Sequence, residues 1–317
     1  MTQPPLHTMP LSQPPPSHPA TSIIDRAVDV CICTFRRPSV AATLASLATQ
    51  TLPAGTRVRV IVADNDEDAS ARDLVEQAFA YHQLNGRYIH APARNISIAR
   101  NACLDAIEAP LAAFIDDDEA ARPDWLANLI NRQEAANADV VFGRVVAVYG
   151  PDAPKWMVEG DLHSTASVIK QGKIDGGYTC NVIFRSAILG SRRFDPALGR
   201  SGGEDTTFFS DLFEGGAKGV YAPDAVVEEP VPASRSSLMW LLRRSYRSGQ
   251  TRAVVLRMRG RTRAWLASTG ALKILFCAAT MLARCYSPAS WRKAAVRAAL
   301  HAGVTAGALG RAQLELY

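Results

Sequence analysis

The 317-residue chain has no C-x-x-C pair, and none of its six cysteines (Cys31, Cys33, Cys103, Cys180, Cys277, Cys285) lies near a histidine at zinc-ligand spacing. That pattern speaks against a structural zinc site and against a secreted disulfide scaffold, and it fits reduced thiols in a cytosolic protein. No basic start leads into an apolar run at the beginning of the chain, and no arginine precedes Arg26, so neither a secretory signal nor a transit peptide is expected. The longest apolar stretch, Ala271 to Ala283, is 13 residues interrupted by Lys273. A bilayer span needs about 20. Acidic residues almost vanish after Ser234: from Arg235 to Tyr317 there are fifteen Lys/Arg and one acid, Glu315, a net +14 against +5 for the whole chain. Such a tail is expected to meet something anionic. A set of solvated helix faces is the plainer alternative. There are no internal repeats.

What is present divides into three parts. Residues 1–26 are rich in Pro, Ser, Thr and His and read as a disordered leader. Residues 27–234 alternate short β-branched runs with helical patterns. Strands are expected at 28–33, 58–62, 87–89, 111–115, 140–149 and 179–185, with short ones at 220–221 and 226–227. Helices are expected at 39–50, 71–81, 97–109 and 206–214. This alternation predicts an α/β fold with a mainly parallel sheet covered on both faces. Residues 235–317 form a basic helical tail. In such sheets ligands bind beyond the carboxyl ends of the strands, so the polar residues ending each strand are the first place to search.

Phe114-Ile-Asp-Asp-Asp-Glu119 carries the strongest signal. Adjacent carboxylates repel one another unless a divalent cation shares them. Mg²⁺ and Mn²⁺ prefer oxygen ligands, and Mg²⁺ usually takes one or two carboxylates and leaves positions for substrate phosphates. Asp116 and Asp118 point the same way if the strand continues. An acidic loop capping the next helix would give the same string. Asp64 ends another strand, where a carboxylate accepts from a base N–H or simply builds a turn. Thr34, Phe35 and Arg36 follow the first strand, where backbone groups and an arginine meet a nucleoside or its phosphates, or merely turn into a helix.

Taken in order, these motifs resemble the family 2 glycosyltransferases, inverting nucleotide-sugar enzymes of the GT-A fold. Val30-Cys-Ile-Cys-Thr-Phe-Arg-Arg-Pro38, Val62-Ala-Asp-Asn65, Asn95-Ile-Ser-Ile-Ala-Arg-Asn-Ala102, Phe114-Ile-Asp-Asp-Asp118 and Gly202-Gly-Glu-Asp-Thr-Thr-Phe-Phe209 match five family motifs. The likeness is nearest to bacterial exopolysaccharide enzymes of the succinoglycan type. It implies that Thr34, Phe35, Arg36, Asp64, Arg100, Asn101, Asp116 and Asp117 contact the nucleotide sugar, that Asp116 and Asp118 hold Mg²⁺ or Mn²⁺, and that Asp205, beside Glu204, is the catalytic base. Glu204 and Asp205 would also suit the start of a helix.

Asn181, after two glycines, resembles the segment lining the acceptor side. Arg243 and Arg247, one helix face at i, i+4, could close over the diphosphate. No Trp follows Arg247, so the motif of processive members is incomplete and one sugar is expected per acceptor. Trp156 is a possible sugar platform, and His163 is expected at the surface. The resemblance implies a UDP-sugar donor, UDP-glucose first, and a polyprenyl-diphosphate-linked acceptor. The tail, with Trp265 and Trp291 among its basic residues, reads as helices lying on the inner face of the bacterial cytoplasmic membrane or packed on the core.

Two other classes fit parts of the pattern. A nucleotide- or nucleic-acid-binding module would use the basic tail, but RNP-like aromatics and a helix-turn-helix are lacking, and no nucleic-acid partner is expected. A nucleotidyltransferase would use a similar sheet, but no Gly-rich loop follows the first strand.

Overall fold

The computed structural model describes residues 26–166, 169–170, 173–174, 177–312 and 314. The expected leader lies outside these residues except for Arg26, which opens the first strand.

The elements run β1 (Arg26–Thr34), α1 (Val40–Ala48), β2 (Thr56–Asp64), α2 (Arg72–His82), β3 (Gly86–His90), α3 (Ile96–Ala106), β4 (Leu111–Ile115), β5 (Ala120–Ala121), α4 (Trp125–Ala136), β6 (Val140–Tyr149) and α5 (Lys155–Gly160). Then come a two-stranded ribbon of β7 (Ile169–Lys170) and β8 (Lys173–Ile174), β9 (Asn181–Arg185), α6 (Glu204–Glu214), β10 (Gly219–Val231), α7 (Leu238–Met258), α8 (Arg263–Ala283) and α9 (Pro288–Ala308).

Eight strands form one mixed sheet in the order β3-β2-β1-β4-β9-β6-β10-β5. β1 is parallel to β2 and to β4, and β2 to β3. β9 runs antiparallel to both β4 and β6, while β6 and β10 are parallel. The period-2 alternation of β1 explains the two layers of core. Val28, Val30 and Ile32 face α1, α2 and α4, packing with Leu44, Val75, Phe79, Trp125 and Leu129. Cys31 faces the other way, toward Cys103 and Leu104 of α3 and Phe208 and Phe209 of α6. The two expected short strands at 220–221 and 226–227 are one strand, β10, whose register shifts between Tyr221 and Val226. Pro223 lies in that break and has no N–H to give the ladder. All six cysteines are free thiols.

The tail is three 21-residue helices. Ser237, Thr262 and Ser287 each cap the helix they precede by accepting a backbone N–H. α7 and α9 cross closely because glycines sit at the crossing: a Cβ on Gly249 would collide with the Leu300 carbonyl, and one on Gly303 with that of Tyr246. The tail also docks on the sheet domain. Thr251 donates to the Ser201 carbonyl at 3.0 Å, and Arg292 of α9 lies over the Trp156 ring of α5 at 4.8 Å. α8 buries Leu266, Gly270 and Cys277 but leaves Leu272, Leu275, Phe276 and Leu282 exposed. The apolar run of 13 residues is thus the second half of a 21-residue helix that is long and apolar enough to cross a membrane by length and composition, the one such helix among the described residues.

Candidate active site

The carboxyl ends of β1, β2 and β4 lie side by side, with Thr34 paired to Asp64 in register. The loop after β1 holds Phe35 and Arg36. Arg36 adopts a left-handed backbone (φ 55°) and donates through Nε to Asp66 at 2.9 Å, which helps hold the Asp66 carboxyl at about 2. Both Arg36 and Arg94 lie over the Phe35 ring, at 5.2 and 5.9 Å. Asp64 is fully buried and accepts from the Asp66 N–H (3.0 Å), the Ala71 N–H (2.9 Å) and the Tyr88 hydroxyl (2.8 Å). Three of its four acceptor positions are therefore filled internally. Asp64 shapes the loop that ends β2.

β4 delivers Asp116, Asp117, Asp118 and Glu119 into a tight turn before β5. Thr34 donates to Asp117 at 2.8 Å. Arg37 uses one nitrogen for two carboxylates, Asp117 at 3.1 Å and Asp118 at 2.6 Å. Arg235, between β10 and α7, lies 3.7 Å from the same Asp118 oxygen and also bonds Glu229 at 3.0 Å. Burial pushes the Asp117 carboxyl up to about 6, against the opposing pull of Arg37 and Thr34. Burial also raises Asp116, which Arg100 pulls back and the like charge of Asp118 raises further. Glu119, buried and close to Asp116, is held well above its ordinary range and accepts the Asp116 N–H at 2.9 Å.

The Gly202-Gly203 turn sets the other wall. Both glycines have positive φ (85° and 97°), and a Cβ on Gly203 would press on Thr251 and Val255 of α7. The turn launches α6 with Glu204 and Asp205 in its first turn. Buried Arg100 of α3 donates to Glu204. Burial works against the Arg100 charge, yet Glu204, Asp116 and Asp205 raise it above its ordinary value. Burial, then the Glu204 charge, push Asp205 up to about 7, while Arg100 and the Thr206 N–H oppose and Asp116 adds to the rise. Asp205 and Asp116, 89 positions apart in the chain, therefore lie close enough for both to act on the Arg100 charge and for Asp116 to act on Asp205.

Five residues stand elsewhere than expected. Asn101 clamps the backbone of Phe194, donating to its carbonyl at 2.9 Å and accepting its N–H at 2.8 Å, so both ends of its amide are used away from the cleft. Asn181 is buried in the sheet: it accepts the Trp125 indole N–H at 2.9 Å and donates to the carbonyls of Arg144 and Ala225, both at 3.0 Å. It ties β9, β6, β10 and α4 together and does not line an acceptor surface. Arg243 is exposed, and Arg247 donates to the Arg200 carbonyl at 3.4 Å, next to the turn before Asp205. Of the α7 arginines, Arg244 acts on Glu229, and both Arg252 and Arg244 act on Tyr178. His163 is buried instead of superficial; it meets the Tyr149 hydroxyl at 3.3 Å and stacks on Trp240. Burial and the nearby Arg244 lower it to about 4, so it stays neutral.

Spacing and motif alone do not single out Arg37, Arg235, Arg244 or Tyr178. Tyr178, half-exposed, feels the Asp205 charge. Single arginines in a basic tail carry no spacing signal, and only the Pro after Arg37 marked its loop.

Among the described residues no group of three or more His, Cys, Asp or Glu forms a ready cage for a metal. The site suits a cation in a different mode. The Asp118 side chain is 24% exposed and bonded by a partly exposed arginine, Arg37, and Asp116 stands close enough to feel its charge. One or two carboxylates with phosphates completing the shell is the Mg²⁺ arrangement.

A mixed sheet with a carboxylate turn at a parallel strand end and a second acidic pair opening a helix is the arrangement that the resemblance to GT-A enzymes implies. The family model "Glycosyl transferase family 2" matches residues 29–193, and the chain belongs to that family. It is 46% identical to the succinoglycan biosynthesis protein ExoM of Rhizobium meliloti over 295 residues, 92% of this chain and 95% of that one. Two solved structures share the fold. The mannosyltransferase PcManGT of Pyrobaculum calidifontis, in complex with GDP-Man and Mn²⁺, has a TM-score of 0.58 at 19% identity, covering 89% of this chain and 74% of that one. TarS 1–349 of S. aureus, in complex with UDP-GlcNAc, has a TM-score of 0.52 at 17% identity, covering 90% and 92%. The protein is a glycosyltransferase.

Proposed function

We propose that this glycosyltransferase moves one sugar, with inversion, from a UDP-sugar, UDP-glucose first, to a polyprenyl-diphosphate-linked oligosaccharide in exopolysaccharide assembly. The observation that carries the reading is the buried Arg100–Glu204 pair, which holds Asp205 in the electrostatic reach of Asp116 although the two acids are far apart in the chain. The 46% identity to a succinoglycan biosynthesis protein along nearly the whole chain supports the exopolysaccharide role.

Phe35, with Arg36 and Arg94 over its ring, offers a base or ribose platform, and the buried Asp64 keeps the adjoining loop in place. Asp116 and Asp118 would hold Mg²⁺ or Mn²⁺, which when bound neutralises the charge developing on the departing diphosphate. Asp205, near pH 7 in affinity for a proton, takes the proton of the acceptor hydroxyl as that oxygen attacks the anomeric carbon. Glu204 keeps Asp205 basic, and Arg100 neutralises Glu204. Tyr178, close enough to feel the Asp205 charge, would stand on the acceptor side of the base.

The tail supports a peripheral site of action on the inner face of the cytoplasmic membrane. One stripe of α8 packs on α9, and the opposite apolar stripe is uncovered beside Arg263, Lys273 and Arg284. A helix used in this way lies in an anionic interface.

The test is thermal stabilisation by UDP-, GDP- and dTDP-sugars with and without Mn²⁺. UDP-glucose should raise Tm most, only with Mn²⁺, and Asp118→Asn should abolish the rise. A Mn²⁺-independent rise with all three nucleotides would overturn the donor and metal assignments.

A further inference from the structure

Asp118 offers one oxygen, Oδ2, to two guanidiniums: Arg37 at 2.6 Å and Arg235 at 3.7 Å. The two arginines are anchored differently. Arg235 has a second carboxylate, Glu229, and its side chain is 19% exposed. Arg37 is 39% exposed, and its other bond goes to Asp117, which Thr34 already holds on the opposite oxygen. Pro38 confines the Arg37 backbone to extended conformations, so Arg37 can move only by swinging its side chain. A divalent cation on Asp118 would bring two further positive charges against the Arg37 guanidinium bonded to the same carboxylate, and that repulsion favours releasing the more exposed of the two arginines. A displaced Arg37 remains within a side chain's length of the metal carboxylate. That is where a donor diphosphate must lie, and guanidinium is the side chain best shaped for its oxygens.

We infer that Arg37 is an exchangeable counter-ion, holding Asp117 and Asp118 in the ligand-free protein and passing to the donor diphosphate when cation and nucleotide enter together. It is a positioning residue that makes the two ligands depend on each other. Cation alone must displace an arginine that has no new partner; with nucleotide present, the partner arrives at the same time. Each ligand therefore raises the affinity of the other by the same factor. In the empty site Arg37 also offsets the mutual repulsion of Asp116, Asp117 and Asp118.

The inference rests on Asp118 holding a cation, and titration of free Mn²⁺ by electron paramagnetic resonance, with and without UDP, separates the two claims. Wild-type protein should bind Mn²⁺ weakly alone and more tightly with UDP. Arg37→Gln should bind Mn²⁺ alone about two- to fivefold more tightly than wild type, the range expected on removing one partly exposed ion pair. Its UDP affinity at saturating Mn²⁺ should fall about tenfold, and the coupling between the ligands should shrink accordingly. Arg37→Lys, which keeps the charge but cannot fork onto a diphosphate, should bind Mn²⁺ alone close to the wild-type level and still lose UDP affinity. Merely disrupting the fold would weaken Mn²⁺ binding and not strengthen it. Unchanged or weaker Mn²⁺ binding by Arg37→Gln, or UDP affinity untouched in both variants, overturns the exchange. Wild-type protein that binds no Mn²⁺ at all, with or without UDP, overturns the metal assignment instead.

Discussion

Arg100 and Glu204, 104 positions apart, form a buried ion pair that joins α3 to the first turn of α6. The pair fixes the start of α6 and with it the neighbouring Asp205, whose carboxyl feels the charge of Asp116 in the turn that follows β4. A buried charge needs its partner, and the catalytic geometry borrows that requirement: α6 cannot shift without stranding Glu204 or Arg100.

The charge around Asp205 predicts the pH profile. Its neighbours are Glu204 on α6, Arg100 on α3, Asp116 after β4 and Tyr178 before β9. With its carboxyl at about 7, kcat/KM should fall about tenfold per pH unit below 7. Glu204→Gln removes the like charge and should move that limb to lower pH. The stability effect has the opposite sense to that of an ordinary paired carboxylate. Because the folded protein holds the Asp205 proton more tightly than the unfolded chain, its contribution is full below about 4 and is lost as pH rises through about 7. Asp205→Asn should therefore match or exceed the wild-type Tm at pH 8.

Asn181 is placed to hold structure. Asn181→Ala leaves the Trp125 N–H and two buried carbonyls without their partner. Unfolding by urea should show a loss of about 2 kcal/mol, with the donor KM unchanged. A large change in acceptor KM with full stability would restore an acceptor role.

The exposed stripe of α8 predicts lipid binding. Replacing Leu272 (66% exposed) and Phe276 (70% exposed) with Glu should abolish flotation with phosphatidylglycerol vesicles and leave the thermal unfolding of the protein in place, because neither side chain is buried. Undiminished flotation would remove α8 from the membrane surface.

The sheet and most of its helices were legible because period-2 and period-3.6 patterns follow directly from burial on one face. The acids were legible for a related reason: Asp116, Asp118 and Asp205 follow a strand or open a helix, where nothing in packing alone calls for adjacent carboxylates. Side-chain direction was not legible. Asn181 begins a strand, and only the tertiary fold decides that it points at Trp125 and not into the cleft. Arg243 and Arg247 satisfy i, i+4 spacing, but the packed stripe of α7 is fixed by Trp240, Thr251 and Val255 against distant loops, and it selects Arg244. His163 looked superficial because its burial comes from Trp240, 77 positions later. Sequence does not separate Arg37 from Arg36, since two adjacent arginines look alike until the loop turns them toward different acids.

The most direct measurement compares Asp205→Asn with wild type for Mn²⁺-dependent UDP-glucose binding and for sugar transfer to a lipid-linked acceptor. If Asp205 removes the acceptor proton, the variant keeps donor affinity and loses transfer by about a hundredfold or more. Transfer at the wild-type rate would contradict the account.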